Sequence, residues 1–360
     1  MPSSLLLLPD LDATHRSSME MYLSDIEGPL SQLGVQSSVA RPKLPVSAPS
    51  VQRYRARYFG YQSLVKSHDG PLLVTDHSAG HLCWLLRKKP VFAICHDIAD
   101  LRFSSLSMIQ QRLWESRVKG LKHASKIFAI SENTARDLHE LLSIPREKVI
   151  LNFYGRDESF EPLFDSVQIK AALFPGIACP LILHVGSNIL RKNIKTLLDA
   201  LIIIKSQGLD FRFIKVGSSL REMAELADQV RMLEPNLIEM GFREKRELVK
   251  IYNSCDCFCF PSTYEGFGRP ILEAQACGLP CVLADSSCLR EVGGDGALYH
   301  EPMNSNQLAA HITEILKNHT LSESLTIKGL ANVKRFSWTQ HAKTIAEHCF
   351  PERSEEMPFC

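Results

Sequence analysis

The chain has no long hydrophobic run, no excess of either charge and no framework of paired cysteines, and each lack excludes something. The longest early apolar run, Leu5–Leu8, stops at Pro9 and Asp10, whereas a membrane-spanning helix needs about 20 apolar residues. Met1–Ser4 carries no basic side chain, so the basic start and longer apolar core of a secretory signal are not met. Leu5–Leu8 therefore predicts a buried first strand. Basic residues number 41 and acidic ones 40, a net charge of +1, which gives no electrostatic footprint for nucleic acid. Eleven cysteines are scattered with no Cys-x-x-Cys pair. Cys255, Cys257 and Cys259 alternate, which on a strand puts all three on one face. With histidines distant in sequence, they predict reduced, buried thiols rather than zinc, and an intracellular, reducing compartment. No Asp-x-Asp metal cluster stands out, since Asp10-Leu11-Asp12 reads as the loop after the first strand.

What is present is ordinary in bulk: 45% hydrophobic and 22% charged residues, the mixture of a globular chain and not of a disordered one. A length of 360 residues predicts two domains. Apolar runs alternate with helical patterns, which predicts α/β layering on parallel sheets. In the first half the expected strands are Leu5–Leu8, Leu72–Thr75, Val91–Cys95, Lys126–Ile130 and Val149–Asn152. The expected helices are Glu20–Leu33, Ile109–His123 and Asn133–Leu142, the last capped by Ser131. Pro42, Pro45 and Pro49 mark a loop. In the second half, strands are expected at Leu181–Val185, Phe211–Val216, Leu237–Met240, Cys257–Pro261 and Pro280–Ala284. Helices are expected at Asn193–Ser206, Leu220–Val230, Glu244–Ser254, Ile271–Cys277, Asn306–Asn318 and Thr339–Cys349. The segment Asp157–Pro180, with three prolines and few periodic positions, predicts the boundary. Domains of 1–160 and 161–339 follow, with the last helix, about 340–360, packing back on the first. Two such halves predict a ligand cleft at the carboxyl ends of their strands.

Chemistry concentrates in Phe260–Gly278, F-P-S-T-Y-E-G-F-G-R-P-I-L-E-A-Q-A-C-G. A strand ends, a loop with Gly266 and Gly268 follows, and Pro270 stands where a helix begins. Free amides and partial positive charge at that helix start suit phosphate. Glu265 and Glu273 flank the cradle, where carboxylates can accept hydrogen bonds from sugar hydroxyls. A helix cap plus an exposed loop acid would account for them equally well. The second stretch is Gly186-Ser187-Asn188-Ile189-Leu190-Arg191-Lys192-Asn193. A glycine after a strand, then adjacent cations before a helix, can hold a diphosphate, Lys192 as a point charge and Arg191 as a planar fork; a solvated basic turn reads the same.

Together these stretches make the chain resemble retaining nucleotide-sugar glycosyltransferases of the GT-B fold, and within them the glycosyl transferases group 1 family (family 4), rich in bacterial mannosyltransferases of polysaccharide assembly. The likeness is dense in the C-terminal half: H-V-G-S-N-I-L-R-K-N at His184–Asn193, G-F-R at Gly241–Arg243, Glu265 through Glu273, A-C-G-L-P-C-V at Ala276–Val282, E-V-G-G-D-G-A-L-Y at Glu291–Tyr299, and F-S-W at Phe336–Trp338. It is looser in the N-terminal half, at Pro90–Asp97 and Ala124–Leu142. The resemblance implies two Rossmann-like doubly wound domains facing across a cleft that closes on substrate, the first for acceptor and the second for nucleotide sugar. It implies that Lys192 and Arg191 neutralise the diphosphate leaving group and that Glu273 binds the ribose. Glu265 would contact the transferred sugar, with the amides of Gly266, Phe267 and Gly268, beside the Gly186-Ser187 turn. Phe242 and Arg243 would lie near the base, and His96 would contact the sugar from the first domain.

It further implies transfer with retention to a glycan or lipid-linked acceptor hydroxyl, with no metal or other cofactor, two cations replacing a divalent ion. The Arg191-Lys192-Asn193 form of the loop favours GDP-mannose, with UDP-sugars open. Arg53-Tyr54-Arg55-Ala56-Arg57-Tyr58-Phe59 interleaves arginines with aromatics. That pattern is shared by a solvated helix face and by a peripheral contact with anionic lipid at the inner membrane face of a cytoplasmic protein. Two departures from the family stand out. Ser187 replaces a common arginine, and residues 10–18 lack the glycines of the usual first loop, which shifts that duty to Arg16 or the amides of Ser17 and Ser18. These departures keep open a binding or scaffold protein that kept the fold and lost turnover, and a nucleotide-sugar epimerase of the same fold is a third reading.

Overall fold

The computed structural model describes residues 3–11, 17–45, 47–103 and 107–353. Arg16 lies outside them, and Ser17 and Ser18 are described only as backbone of the first helix. Two compact units divide the chain, residues 1–155 with 336–360, and residues 156–335.

In the first unit, β1 (Ser3–Leu8), β2 (Val35–Val39), β3 (Leu72–Val74), β4 (Val91–Cys95), β5 (Ile127–Ala129) and β6 (Val149–Leu151) form one parallel sheet. The order is β2-β1-β3-β4-β5-β6. The inner strands β3, β4 and β5 are buried at every position, because helices on both faces of a parallel sheet demand apolar residues on both. Between the strands run α1 (Ser17–Gln32), α2 (Ser50–Arg55), α3 (Tyr61–Leu64), α4 (His81–Leu85), α5 (Met108–Lys119) and α6 (Glu132–Leu142). Ser131 does cap α6, its hydroxyl accepting from the Thr134 amide at 3.1 Å. β2 was not expected. Its V-Q-S-S-V sequence buries only Val35, so its strand character comes from pairing with β1 and not from alternation. Residues 50–64 are helical, in line with the helix-face reading of Arg53–Phe59, and none of α2 is buried.

The second unit holds α7 (Ser166–Leu173), β7 (Leu181–Gly186), α8 (Ile194–Ser206), β8 (Arg212–Gly217), α9 (Ala227–Leu233), β9 (Leu237–Gly241), α10 (Lys245–Ser254) and β10 (Cys257–Phe260). It continues with α11 (Arg269–Ala276), β11 (Cys281–Ala284), α12 (Leu289–Gly293), β12 (Ala297–His300), α13 (Ser305–Lys317) and α14 (His319–Asn332). Its parallel sheet runs β12-β11-β10-β7-β8-β9, the Rossmann order, which reverses between β7 and β10; ligands bind at such switch points. The helix expected over Leu220–Val230 is instead two short 3₁₀ turns before α9. The Glu239 carboxylate on β9 accepts from the Leu220 amide at 2.5 Å and from the Ser219 hydroxyl, so the segment is tied to the sheet edge. Cys257 and Cys259 do share a face, with Sγ atoms 4.0 Å apart, whereas Cys255 precedes the strand. The chain then returns to the first unit as α15 (Trp338–Cys349). There the Tyr22 hydroxyl of α1 meets His341 Nε2 at 2.9 Å, and Asn152 Nδ2 donates to the His341 carbonyl at 3.1 Å.

Candidate functional site

The carboxyl ends of β7 and β10 carry the charged groups singled out above. β10 is wholly buried, which drives the chain into a loop at Pro261 whose polar groups must then be satisfied. The turn after β7 does this. The Asn193 side chain donates to the Pro261 carbonyl at 3.1 Å, and the Thr263 amide donates to the Arg191 carbonyl at 2.8 Å. Asn193 itself sits in the left-handed region, φ 52°, which asparagine tolerates better than most residues.

This stitching brings Arg191, Lys192 and Glu265 together. Arg191 Nη1 lies 2.9 Å from Glu265 Oε2 and also donates to the Tyr264 carbonyl at 2.9 Å. Lys192 Nζ lies 2.7 Å from Glu265 Oε1 and 4.9 Å from the centroid of the Phe260 ring. The Glu265 side chain is 8% exposed. Two cations on one buried carboxylate leave a local charge of +1, which suits an anion arriving above them.

Gly266, Phe267 and Gly268 are buried. The turn closes at Gly268, φ 100°, and α11 starts beside it with Pro270 in its first turn. Cys288 Sγ donates to the Glu265 and Phe267 carbonyls at 3.2 Å, and the Glu265 amide donates to Ser287 Oγ at 3.0 Å. The Phe267 ring is packed inward, 3% exposed, so only its main chain can serve a ligand. Glu273 has a different neighbourhood. It accepts from the Tyr252 hydroxyl of α10 at 2.9 Å, and burial raises its pKa against the lowering effect of that hydrogen bond. Gly186 and Ser187 are partly exposed at the end of β7. Phe242 is 82% exposed, and Arg243 pairs with Glu247 at 3.5 Å.

His96 follows β4 in the first unit and is 4% exposed. Its Nε2 lies 2.7 Å from the Thr75 carbonyl, an acceptor that assigns the proton to Nε2, and its Nδ1 then accepts from the Tyr154 hydroxyl. Burial lowers its pKa to about 4, so the ring is neutral at pH 7. Both nitrogens are engaged by the protein, and a sugar contact through Nδ1 requires Tyr154 to release it. Two of the groups around it at the carboxyl edge of this sheet belong to no motif in the sequence. Asp76 and His77 follow β3, with His77 Nδ1 3.8 Å from Asp76 Oδ1. Asp10 follows β1 and lies 3.5 Å from Arg57 and 4.0 Å from Arg117. Arg57, expected on an exposed basic stretch, thus turns inward, with 15% of its side chain exposed.

Among the described residues, no group of three or more His, Cys, Asp or Glu side chains is placed to hold a metal ion. No described helix is long and apolar enough to cross a membrane.

Residues 178–330 match the family described as glycosyl transferases group 1. The chain is 29% identical over 235 residues to O-antigen chain mannosyltransferase B of Escherichia coli, a match covering 61% of this chain and 59% of that one. The chain therefore spans less than two thirds of that relative. Sucrose-phosphate synthase from Thermosynechococcus elongatus superimposes with a TM-score of 0.80 at 17% identity, covering 98% of this chain and 100% of that one. HepE from Anabaena, in complex with UDP and glucose, superimposes with a TM-score of 0.76 at 21% identity, covering 97% and 99%. Two six-stranded parallel sheets and these superpositions show the GT-B fold, and residues 178–330 are a glycosyl transferases group 1 domain.

Proposed function

We propose that the protein transfers a sugar from a nucleotide diphosphate sugar to a hydroxyl of a glycan or lipid-linked acceptor, with retention of anomeric configuration and without a metal ion. The observation that carries this is the convergence of Arg191 and Lys192 on Glu265 at the switch point of the second sheet, next to the start of α11. Breaking the bond between sugar and diphosphate puts negative charge on the leaving oxygen and positive charge at the anomeric carbon. Preorganised charge lowers that barrier. Arg191 and Lys192 meet the first need and Glu265 the second. Two fixed cations supply the neutralisation a divalent ion would otherwise give. Glu273 takes the ribose hydroxyls, and the main chain around Phe242 and Arg243 reads the base. GDP-mannose is the favoured donor, in line with the E. coli relative named a mannosyltransferase; a UDP-sugar is the second choice, in line with the UDP in the HepE structure.

The test is a thermal-shift panel of GDP, UDP and their sugars, with EDTA present, on the wild type, Lys192→Ala and Glu273→Ala. A ligand at about 100 times its dissociation constant adds ~2.7 kcal/mol to stability. A shift for one base, lost in both variants, is expected, followed by transfer to an acceptor extract. No shift with any nucleotide in a folded protein would sink the donor site and leave a scaffold. An altered sugar from donor alone would mark an epimerase.

One feature supports contact with a lipid surface. Val51, Tyr54 and Phe59 are 70, 55 and 60% exposed and alternate with Arg53 and Arg55. On α5, Met108, Ile109 and Leu113 are 79, 74 and 56% exposed around Arg112. Apolar anchors ringed by cations suit anionic headgroups. Flotation with phosphatidylglycerol vesicles but not with neutral ones is expected; equal failure with both would refute the contact.

A further inference from the structure

Lys215 interrupts the apolar stretch Phe213–Val216 of β8 and is 1% exposed. Buried lysines are rare because desolvating an ammonium is costly unless it is paired. This one is within hydrogen-bond distance of three main-chain carbonyls: Gly186 at 2.8 Å, Val216 at 3.1 Å and Ser218 at 2.9 Å. Gly186 closes β7, and Ser218 follows β8. Asn188 repeats the tie from the other side, donating to the Ser218 and Ser219 carbonyls at 3.2 and 2.8 Å. The two strand ends are so close that a Cβ on Gly217, φ 105°, would stand 2.2 Å from the Gly186 carbonyl oxygen.

The charged and titratable groups facing Lys215 come from its two neighbouring strands. His184 on β7 is fully buried. Its Nδ1 lies 3.0 Å from the Cys259 carbonyl, while its Nε2 has no partner. Burial and the lysine charge lower its pKa to about 3, so it is neutral. Glu239 on β9 exerts an attraction, but its carboxylate is engaged by Ser219, Leu220 and Arg221. Among the described residues no carboxylate lies within ion-pair distance of Lys215.

We propose that Lys215 is a positioning residue of the donor site, whose buried ammonium locks the turn after β7 to the turn after β8 and supplies the turn with positive charge that the diphosphate of the nucleotide balances. This rests on the donor site proposed above. Arg191, Lys192 and Glu265 sum to +1, which leaves a bound diphosphate with excess negative charge; Lys215, beneath Gly186, offsets it. Burial holds the Lys215 pKa down at about 8, so the charge is present at neutral pH and is lost as the pH rises through that value.

The experiment is calorimetric titration of wild type, Lys215→Met and Lys215→Arg with GDP, UDP and the matching monophosphates at pH 7.0 and 9.5. A unit charge about 10 Å from an anion, at an effective dielectric of about 20, changes affinity roughly tenfold to twentyfold. Wild type should lose diphosphate affinity on that scale between the two pH values, and Lys215→Met should show the loss already at pH 7.0 with no further pH dependence. The ratio of diphosphate to monophosphate affinity should fall in Lys215→Met and recover in part in Lys215→Arg. A purely structural lysine would weaken all nucleotides in proportion and leave that ratio unchanged, which overturns the proposal. If Lys215→Met does not fold, the wild-type pH profile decides: a diphosphate affinity flat from pH 7.0 to 9.5 overturns it, and a fall confined to the diphosphate upholds it. If the wild type binds neither nucleotide, the donor site itself is refuted and this role with it.

Discussion

Replacing Glu265 with glutamine should make the protein less stable and yet bind a nucleoside diphosphate more tightly. The carboxylate holds Lys192 at 2.7 Å and Arg191 at 2.9 Å, and all three side chains are mostly buried. At an effective dielectric of about 20, each contact is worth about 5 to 6 kcal/mol of gross attraction. Most of that is offset by desolvation of the three charges. Removing one partner of such a cluster strands the others, so a net loss of about 2 to 3 kcal/mol is expected. With a urea dependence of about 2 kcal/mol/M, the unfolding midpoint of the second unit falls by about 1 M. Glutamine keeps the shape and leaves two cations without a counter-charge, so an incoming diphosphate becomes their partner. Its affinity should rise roughly tenfold, equivalent to about 1.4 kcal/mol, while turnover falls if, as proposed, this carboxylate faces the anomeric carbon. Urea melts followed by circular dichroism and calorimetric titration with GDP and UDP measure the two effects. A Glu265→Gln protein as stable as wild type, or one that binds the diphosphates more weakly, would refute the assignment of Arg191 and Lys192 to the phosphates.

Two further outcomes follow from the geometry. Gly217→Ala combines a positive φ with a Cβ driven onto the Gly186 carbonyl, so it should cost at least about 2 kcal/mol; thermal unfolding checks it, and a melting temperature equal to wild type would show that the two strand ends can part. In the first unit, His96, His341 and His81 all have pKa values lowered by burial to about 4, below the unfolded value of about 6.5. Between those values the unfolded chain binds more protons, so stability is full above about pH 6.5 and falls as the pH drops toward 4. Melting temperature against pH should show that slope, reduced in His96→Asn; a flat profile over this range would mean the rings are not buried as neutral groups.

Much of the molecule was legible along the chain. β4 was expected at Val91–Cys95 and lies there, and β7, β10 and α11 fall within two residues of their expected bounds. Continuous apolar runs bounded by turn residues leave few alternatives when both faces of a strand are covered. The edge strand β2 escaped because pairing, and not burial, makes it regular: it is mostly polar. α14 also escaped. It buries only Leu325, Gly329 and Asn332, too few for a helical period, and Asn332 is held by Gln275 and the Val292 carbonyl, which are distant in sequence.

For the candidate site the division is similar. Glu265, Arg191 and Lys192 could be named from local pattern, because a strand, a glycine turn and a helix start are local events. Their convergence could not, since Arg191 and Glu265 are brought together only by the parallel pairing of β7 with β10. The engagement of both His96 nitrogens by Thr75 and Tyr154 and the inward turn of Arg57 toward Asp10 depend equally on contacts across the sheet. Lys215 stands out in the sequence only as a charge in an apolar run. The sequence by itself determined which segments are buried and where phosphate-friendly turns lie, because those follow from side-chain hydrophobicity and backbone freedom. Only the tertiary structure decided which polar groups pair, because burial makes each of them take whichever partner the sheet order brings within reach.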